Sequence, residues 1–478
     1  MPLLVRGWMV LVGQHDFPLR LLGVLIGLCL VAAFWVTAWA TRRPPLLSLV
    51  LIGLNTLAII YADSLRGYGV GSAAIVLLAG GMWSFLQKPT WRRAALLAGV
   101  ALLSVQALYQ NAVLVFAICL GAWLVCWRRK DFSAAVKIFL AGACAAVSLL
   151  PYWPLLAGMP QAGTILRRGF QPDVVWENIK AIIAFPLAEY AGVWLLLLAG
   201  LLVAAGLGGR RRPAETAADR VELSVFAAGT TLAALVAFTL FLWYAALLTQ
   251  PWYFLPLLAL LAVCFDFGLA PLLFLGRFRA VGAGLLLATA LIGVMFSQRD
   301  LDWQFTNMDQ LAGQVRAQAD AQDFVLVTPW YCGISFERYA PAGTHWQTLP
   351  PLADHSTHRY DLVQAQMLNP HPLAPVLDQL AAALQSGHRV WIVGNLALPA
   401  PGGPMPADLP PPPLKQYGWS DLPYSQKWAS QTAWFLANHT LQFERLDHAT
   451  NGSVRCNEYL RLFVASGWKP LMLSTNRL

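Results

Sequence analysis

From about residue 20 to residue 297 the chain is a succession of long apolar runs separated by short polar connections. A helix needs about 20 mostly apolar residues to cross the hydrocarbon core of a bilayer. On that criterion the runs at 20–41, 45–61, 69–87, 93–108, 110–127, 133–152, 190–207, 223–247, 251–271 and 279–297 predict about ten spanning helices. After Gln298 the period changes. There the pattern predicts helices over Asp302–Ala319, Pro375–Gln385 and Ser425–Ala437, with strands over Phe324–Val327, Val390–Val393, Leu441–Arg445 and Tyr459–Val464. That order of elements predicts a small α/β domain over 298–478, with an extended Pro-rich linker at 399–414.

Composition agrees with the pattern. Of 478 residues 58% are hydrophobic and only 12% are charged, the mean hydropathy is +0.55, and the class is an α-helical polytopic membrane protein. The net charge of +9 would suit a nucleic-acid partner, but Lys and Arg fall in short clusters between apolar runs. They read instead as cytoplasmic loops, and nucleic acid is set aside as a partner.

Arg42-Arg43, Lys88 with Arg92-Arg93, Arg128 to Lys130, Arg210 to Arg212, and Arg277 with Arg279 occupy every second loop. The other connections then face outward: Asp63 to Tyr68, Tyr109 to Asn111, the long loop 153–189, and Thr249 to Tyr253. The same alternation puts the 298–478 domain outside, along with Met1 and the remnant 1–19 ahead of the first span. Residues 1–19 lack the charged-then-apolar order of a cleaved leader, so either the first helix translocates this short tail itself or a preceding helix is absent from the sequence. Within 153–189, Val174, Val175, Trp176, Ile179, Ile182 and Ile183 recur at helical spacing, as in a helix lying on the bilayer surface.

Chemistry narrows from there. The sequence holds no phosphate loop, zinc-helix motif or nucleophile elbow, and its eight histidines are scattered without ligand spacing. Cys29, Cys119, Cys126, Cys144 and Cys264 read as small buried hydrophobes, while Cys332 and Cys456 are available to pair if their domain is exported. The candidates are polar residues of the outer connections. Asp63 and Arg66, three apart, either pair with each other or face a polar substrate, Arg being suited to bidentate phosphate contacts. Tyr61, Tyr68 and the run Trp252-Tyr253-Phe254-Leu255-Pro256 are either interfacial anchors or phenols beside a phosphate. Arg167 and Arg168 either meet an anionic head group or are simply solvated.

Pro2-Leu3-Leu4, Val12-Gly13 and Phe17 to Leu22, followed by Asp63-Ser64-Leu65-Arg66-Gly67-Tyr68 and Trp252 to Pro256, lie in an order that resembles a known family. It is the GT-C superfamily of polyprenyl-phosphate-dependent glycosyltransferases, in its protein mannosyltransferase and aminoarabinose transferase-like branch (glycosyltransferase family 39-like). Asp63 to Tyr68 looks like that family's acidic-x-x-Arg-x-Tyr element, and Trp252 to Pro256 like its Arg-Tyr-x-x-Pro element, with Trp252 in place of the Arg.

The resemblance implies a GT-C-like fold with an extracytoplasmic C-terminal domain in a bacterial inner (plasma) membrane. It implies transfer of a sugar from a polyprenyl-phosphate carrier to a lipid, glycan or protein acceptor on the outer face, among membrane lipids. Asp63, Arg66, Tyr68, Arg167, Arg168 and Tyr253 would contact the substrate. No cofactor is specified, and a divalent cation is left open. The family's catalytic Asp lies ahead of the segment matched by Pro2 to Leu22, so the base is expected N-terminal to this chain, which is read as truncated by one helix and one outer loop. Two readings of other classes stand beside it: a transporter or flippase for a lipid-linked solute, and a non-catalytic membrane scaffold. The transporter reading turns on charge inside the spans, where Asp266 is the only acid well inside a run.

Overall fold

The computed structural model describes residues 1–154, 169–210, 215–273, 279–300, 304–412, 419–446 and 456–470. The fold is mostly helical with a small sheet, and it divides into two compact units with a boundary between Leu301 and Asp302.

The first unit is all helix: α1 (Pro2–Leu11), α2 (Asp16–Thr41), α3 (Thr56–Ala62), α4 (Gly67–Gln87), α5 (Trp91–Ala107), α6 (Asn111–Arg129), α7 (Phe132–Val147), α8 (Pro172–Ile183), α9 (Tyr190–Arg210), α10 (Glu215–Ala245), α11 (Leu255–Leu273) and α12 (Arg279–Asp300). Local sequence places the boundaries. Pro2 and Pro172 open α1 and α8, where a missing N–H costs nothing. Thr90 and Asp131 cap α5 and α7 by accepting from the Arg93 and Ala134 amides. Arg42 and Lys130 take the left-handed conformation that closes α2 and α6.

Among the described residues six helices are long and apolar enough to cross a membrane: Asp16–Thr41, Gly67–Gln87, Asn111–Arg129, Phe132–Tyr152, Val221–Ala245 and Pro251–Ala270. These six correspond to six of the ten expected runs. α5, with 17 residues, is shorter than these, while α9 and α12 cover the expected runs 190–207 and 279–297. The run 45–61 is not one helix. It enters through Pro44-Pro45, forms a short turn at Leu46–Ser48 and a π turn at Leu49–Gly53, then restarts as α3. Two side chains fix the break. Asn55 Oδ1 accepts from the Ala58 amide at 3.0 Å to start α3. Buried Asp266 of α11 takes the Leu47 amide on Oδ1 at 2.7 Å and the Ser48 amide on Oδ2 at 3.1 Å. These are amides that a helix start leaves without partners. The acid that bore on the transporter reading is therefore bound to backbone.

The Pro251–Ala270 span is buried over 94% of its window and Gly67–Gln87 over 78%, against 28% for Phe132–Tyr152. α11 and α4 are thus the centre of the unit, and α7 lies at its rim. α6 and α10 approach closely because Gly121 and Gly229 face each other's helices: a Cβ at Gly121 would overlap Thr230. Small residues play this part where lipid gives apolar side chains no reason to associate. α2 begins at Asp16, inside the stretch read as preceding the first span, and α1 occupies most of the rest.

The second unit contains β1 (Gln304–Thr306), α13 (Met308–Gln318), β2 (Phe324–Val327), α14 (Gly333–Tyr339), β3 (His345–Thr348), α15 (Tyr360–Leu368), α16 (Ala374–Gln385), β4 (Val390–Val393), α17 (Leu422–His439), β5 (Thr440–Arg445), β6 (Cys456–Glu458) and β7 (Leu462–Trp468). Five strands form one sheet in the order β3-β2-β4-β7-β5, and β1 pairs with β6 separately. β2, β3 and β4 run parallel, while β7 is antiparallel to both β4 and β5. β2 and β4 are apolar and wholly buried, as parallel strands covered on both faces must be. β3, His-Trp-Gln-Thr, has no apolar run to announce it. The expected helix from Asp302 is instead strand β1 followed, after Asn307, by α13.

The Pro-rich stretch is not a free linker where it is described. The Gly402 amide donates to Asn438 Oδ1 (2.9 Å), Trp434 Nε1 to the Gly403 carbonyl (2.6 Å), and Gln431 Nε2 to the Pro406 carbonyl (3.0 Å) and Asp408 Oδ1 (2.6 Å). It is a strap held along α17. Cys332 is a buried free thiol, and the Cys456 side chain lies outside the described residues.

Candidate functional site

The polar residues between α3 and α4 are held by a tight local fold. α3 ends at Asp63, and Ser64 Oγ donates back to the Tyr61 carbonyl at 2.7 Å. α4 then restarts at Gly67, with Arg66 as its extended cap. A Cβ at Gly69 would overlap the Ala62 carbonyl, so glycine lets the start of α4 fold back against the end of α3. On the other side lies α2. A Cβ at Gly23 would overlap the Asp63 carbonyl oxygen, and one at Gly27 the Asp63 carboxylate. These two glycines, four apart, form a notch on one helical face in which Asp63 is seated.

Asp63 is half-buried, and burial pushes its carboxyl from an ordinary value near 3.8 up to about 6. It does not pair with Arg66. Arg66 is exposed and has no ion-pair partner among the described residues; its guanidinium lies over the Trp252 ring, 5.0 Å from the centroid. Such a contact holds a cation in place without neutralising it.

Trp252 belongs to a 3-10 turn, Pro251–Phe254, that leads into α11. Around it the rings form a continuous wall. Tyr61 meets Trp252 edge-on at 5.5 Å, Trp252 meets Tyr253 at 6.3 Å, and Tyr253 stacks on Tyr68 at 5.9 Å with 27° between planes. Gln110 Nε2 donates to the Tyr253 carbonyl at 2.7 Å and fixes the turn from the start of α6. The stretches Asp63–Tyr68 and Trp252–Pro256, far apart in sequence, thus meet at one end of the helical unit, joined by Arg66 on Trp252 and Tyr68 on Tyr253.

Four of the six candidates, Asp63, Arg66, Tyr68 and Tyr253, are brought into one neighbourhood. Arg167 and Arg168 lie outside the described residues. Sequence reasoning passed over Gly23, Gly27 and the positioning role of Gln110. The glycines carried one signal, their i,i+4 spacing. Gln110 carried only its place in an outer connection. α8 reaches the same end: Asn178 Nδ2 donates to Thr249 Oγ1 at 3.0 Å, and Asn55 Nδ2 to the Ile182 carbonyl at 2.9 Å. Among the described residues no three His, Cys, Asp or Glu side chains gather as a metal site.

No family model, curated protein or solved structure matches this chain.

Proposed function

We propose that this chain is a membrane glycosyltransferase that takes a sugar from a polyprenyl-phosphate carrier and transfers it to an acceptor on the outer face of the membrane. One observation carries the reading: the exposed Arg66 guanidinium, free of any carboxylate partner among the described residues, lies on Trp252 beside the paired phenols of Tyr68 and Tyr253. A cation with two hydroxyl donors suits a phosphodiester, and it suits the anionic phosphate that leaves when the anomeric carbon is attacked. Trp252 stands where the resembling family has Arg, and here its ring carries the Arg66 guanidinium. Asp63, Arg66, Tyr68 and Tyr253 are assigned to donor binding, not to proton transfer.

The test is direct. Purified protein is incubated with a radiolabelled polyprenyl-phosphate sugar, with and without candidate acceptors. Acceptor-dependent release of free polyprenyl phosphate is the expected result; the same protein moving the intact lipid-linked sugar across proteoliposomes, without cleaving it, would favour a flippase. Arg66→Ala is expected to weaken donor binding about tenfold to a hundredfold, the range for a hydrogen bond to a charged group. Unchanged binding would remove Arg66 from the site.

A further inference from the structure

The second unit has a crevice of its own. β2 is the first of its three parallel strands and lies between the other two, in the order β3-β2-β4. The chain leaves β2 toward β3 on one side and later returns to β4 on the other. Strand order therefore reverses between β2 and β4, and in open α/β sheets ligands bind at the carboxyl ends of strands at such a point. Gly394, just after β4, has φ +145°, and a Cβ there would overlap the Thr328 carbonyl just after β2. The two loops are thus pressed together at their roots.

The side chains above this point are aromatic and hydrogen-bonding. Trp330 is buried, and its indole N–H donates to Asp421 Oδ2 at 3.0 Å. Trp330 also meets Tyr360 edge-on at 5.3 Å, and Tyr360 meets Trp419 at 6.4 Å. Tyr331 is 37% exposed and Tyr459 44% exposed. Burial above all, then the charge of Cys332, Glu458, Asp421 and Tyr360, pushes the Tyr331 hydroxyl up to about 12. Exposed Asn395 donates through Nδ2 to the Tyr459 carbonyl at 3.1 Å. Asn395, Tyr459 and Arg461 line a cavity of about 330 Å3, at the small end of the range for small-molecule sites.

The chemistry favours a neutral polyol over a phosphate ligand. A phosphate cradle needs successive backbone N–H groups, usually from a glycine-rich loop. Here the loop after β2 runs Thr328-Pro329-Trp330-Tyr331, with a proline that has no N–H. Asp421 would repel an anion, Arg359 is bound to Asp354 and Asp361, and exposed Arg461 on the cavity wall supplies a cation but no amide cradle. Carboxylate and carboxamide groups beside exposed rings instead match the alternating hydroxyl edges and apolar faces of a sugar.

We propose that the crevice at the carboxyl ends of β2 and β4 binds a neutral carbohydrate, with Tyr331 and Tyr459 as ring platforms and Asp421 and Asn395 as hydroxyl partners. This site does not rest on the transferase reading. Full-length protein in a sugar-free zwitterionic detergent is applied to an array of neutral and acidic oligosaccharides, and affinity for the strongest neutral ligand is measured by calorimetry. Binding to at least one neutral oligosaccharide is expected. Tyr331→Ala and Asp421→Ala should each weaken it at least tenfold. Because Asp421 also anchors Trp330, the exposed Tyr459→Ala serves as a second variant and should weaken binding without lowering the melting temperature. Absence of neutral ligands, binding of acidic glycans alone, or equal binding by Tyr331→Ala and Tyr459→Ala would overturn the proposal.

Discussion

Asp63 is defined by what α2 leaves out. With no side chain at Gly27, the carboxylate occupies the space a Cβ would take. Gly27→Ala is therefore expected to destabilise the protein by about 1–3 kcal/mol, the usual cost of overpacking, and Asp63→Ala should relieve most of that loss. The check is a double-mutant cycle by thermal melting in detergent, where coupling between the two positions is the signature of direct contact. Additive losses would mean that Gly27 does not seat Asp63. The carboxyl also ties stability to pH. Its folded pKa, about 6, lies above the ordinary 3.8, so the folded state binds the proton more tightly. Stability is fully present below about pH 4 and falls as pH rises through 6. Asp63→Asn should then match the wild type near pH 4 and melt higher near pH 8. A constant difference across that range would rule the linkage out. Asp63 and Arg66 were visible in the sequence as charges between apolar runs. Their separation was not, because it depends on a notch in α2 and a ring from the turn before α11, and neither follows from the spacing of three.

Elements were legible where composition alone decides them. The runs at 20–41, 69–87, 110–127, 133–152, 223–247 and 251–271 each contain a helix close to the expected limits. The run 45–61 shows where hydropathy stops being informative. Its residues are as apolar as a span, but Pro44-Pro45, the Asn55 cap and the distant Asp266 divide it. Two of those three are side chains satisfying backbone amides, which a hydropathy average does not see. In the second unit the buried strands β2 and β4 were readable for the same compositional reason, and β3 was not. Asp266 supplies a test at this scale. Asp266→Ala removes the partner of two buried amides, each costing about 1–3 kcal/mol when left without one. A markedly lower melting temperature is expected, together with new protease cleavage between Pro45 and Asn55, mapped by mass spectrometry. Asp266→Asn keeps one acceptor and should fall between. Wild-type behaviour of Asp266→Ala would mean that the break is held by its own sequence alone.

Charge orders the helical unit from end to end. At one end are Arg42, Arg43, Lys88, Arg92, Arg93 and Arg128 to Lys130, where Arg129 pairs with Glu222. At the other are Asp63, Arg66, Gln110, Thr249 and the ring wall of Trp252 and Tyr253. Basic clusters of this kind resist translocation, so the first end is expected in the cytoplasm and the ring wall outside. The arrangement is testable without knowing any substrate. Single cysteines are placed, in a background without the native ones, at exposed Gln87 beside the basic end, at exposed Tyr109 beside the ring wall, and at exposed Ser386 after α16. A membrane-impermeant maleimide added to intact cells should label Tyr109→Cys and Ser386→Cys, and should reach Gln87→Cys only after the membrane is opened. Labelling of Gln87→Cys in intact cells, with protection of Tyr109→Cys, would invert the topology. The ring wall would then face the compartment that holds nucleotide sugars, and a lipid-phosphate donor would lose its rationale. Labelling at Tyr109 without labelling at Ser386 would keep the donor site outside and move the carbohydrate crevice to the opposite side of the membrane. The glycan it met there would then have no part in transfer at the ring wall.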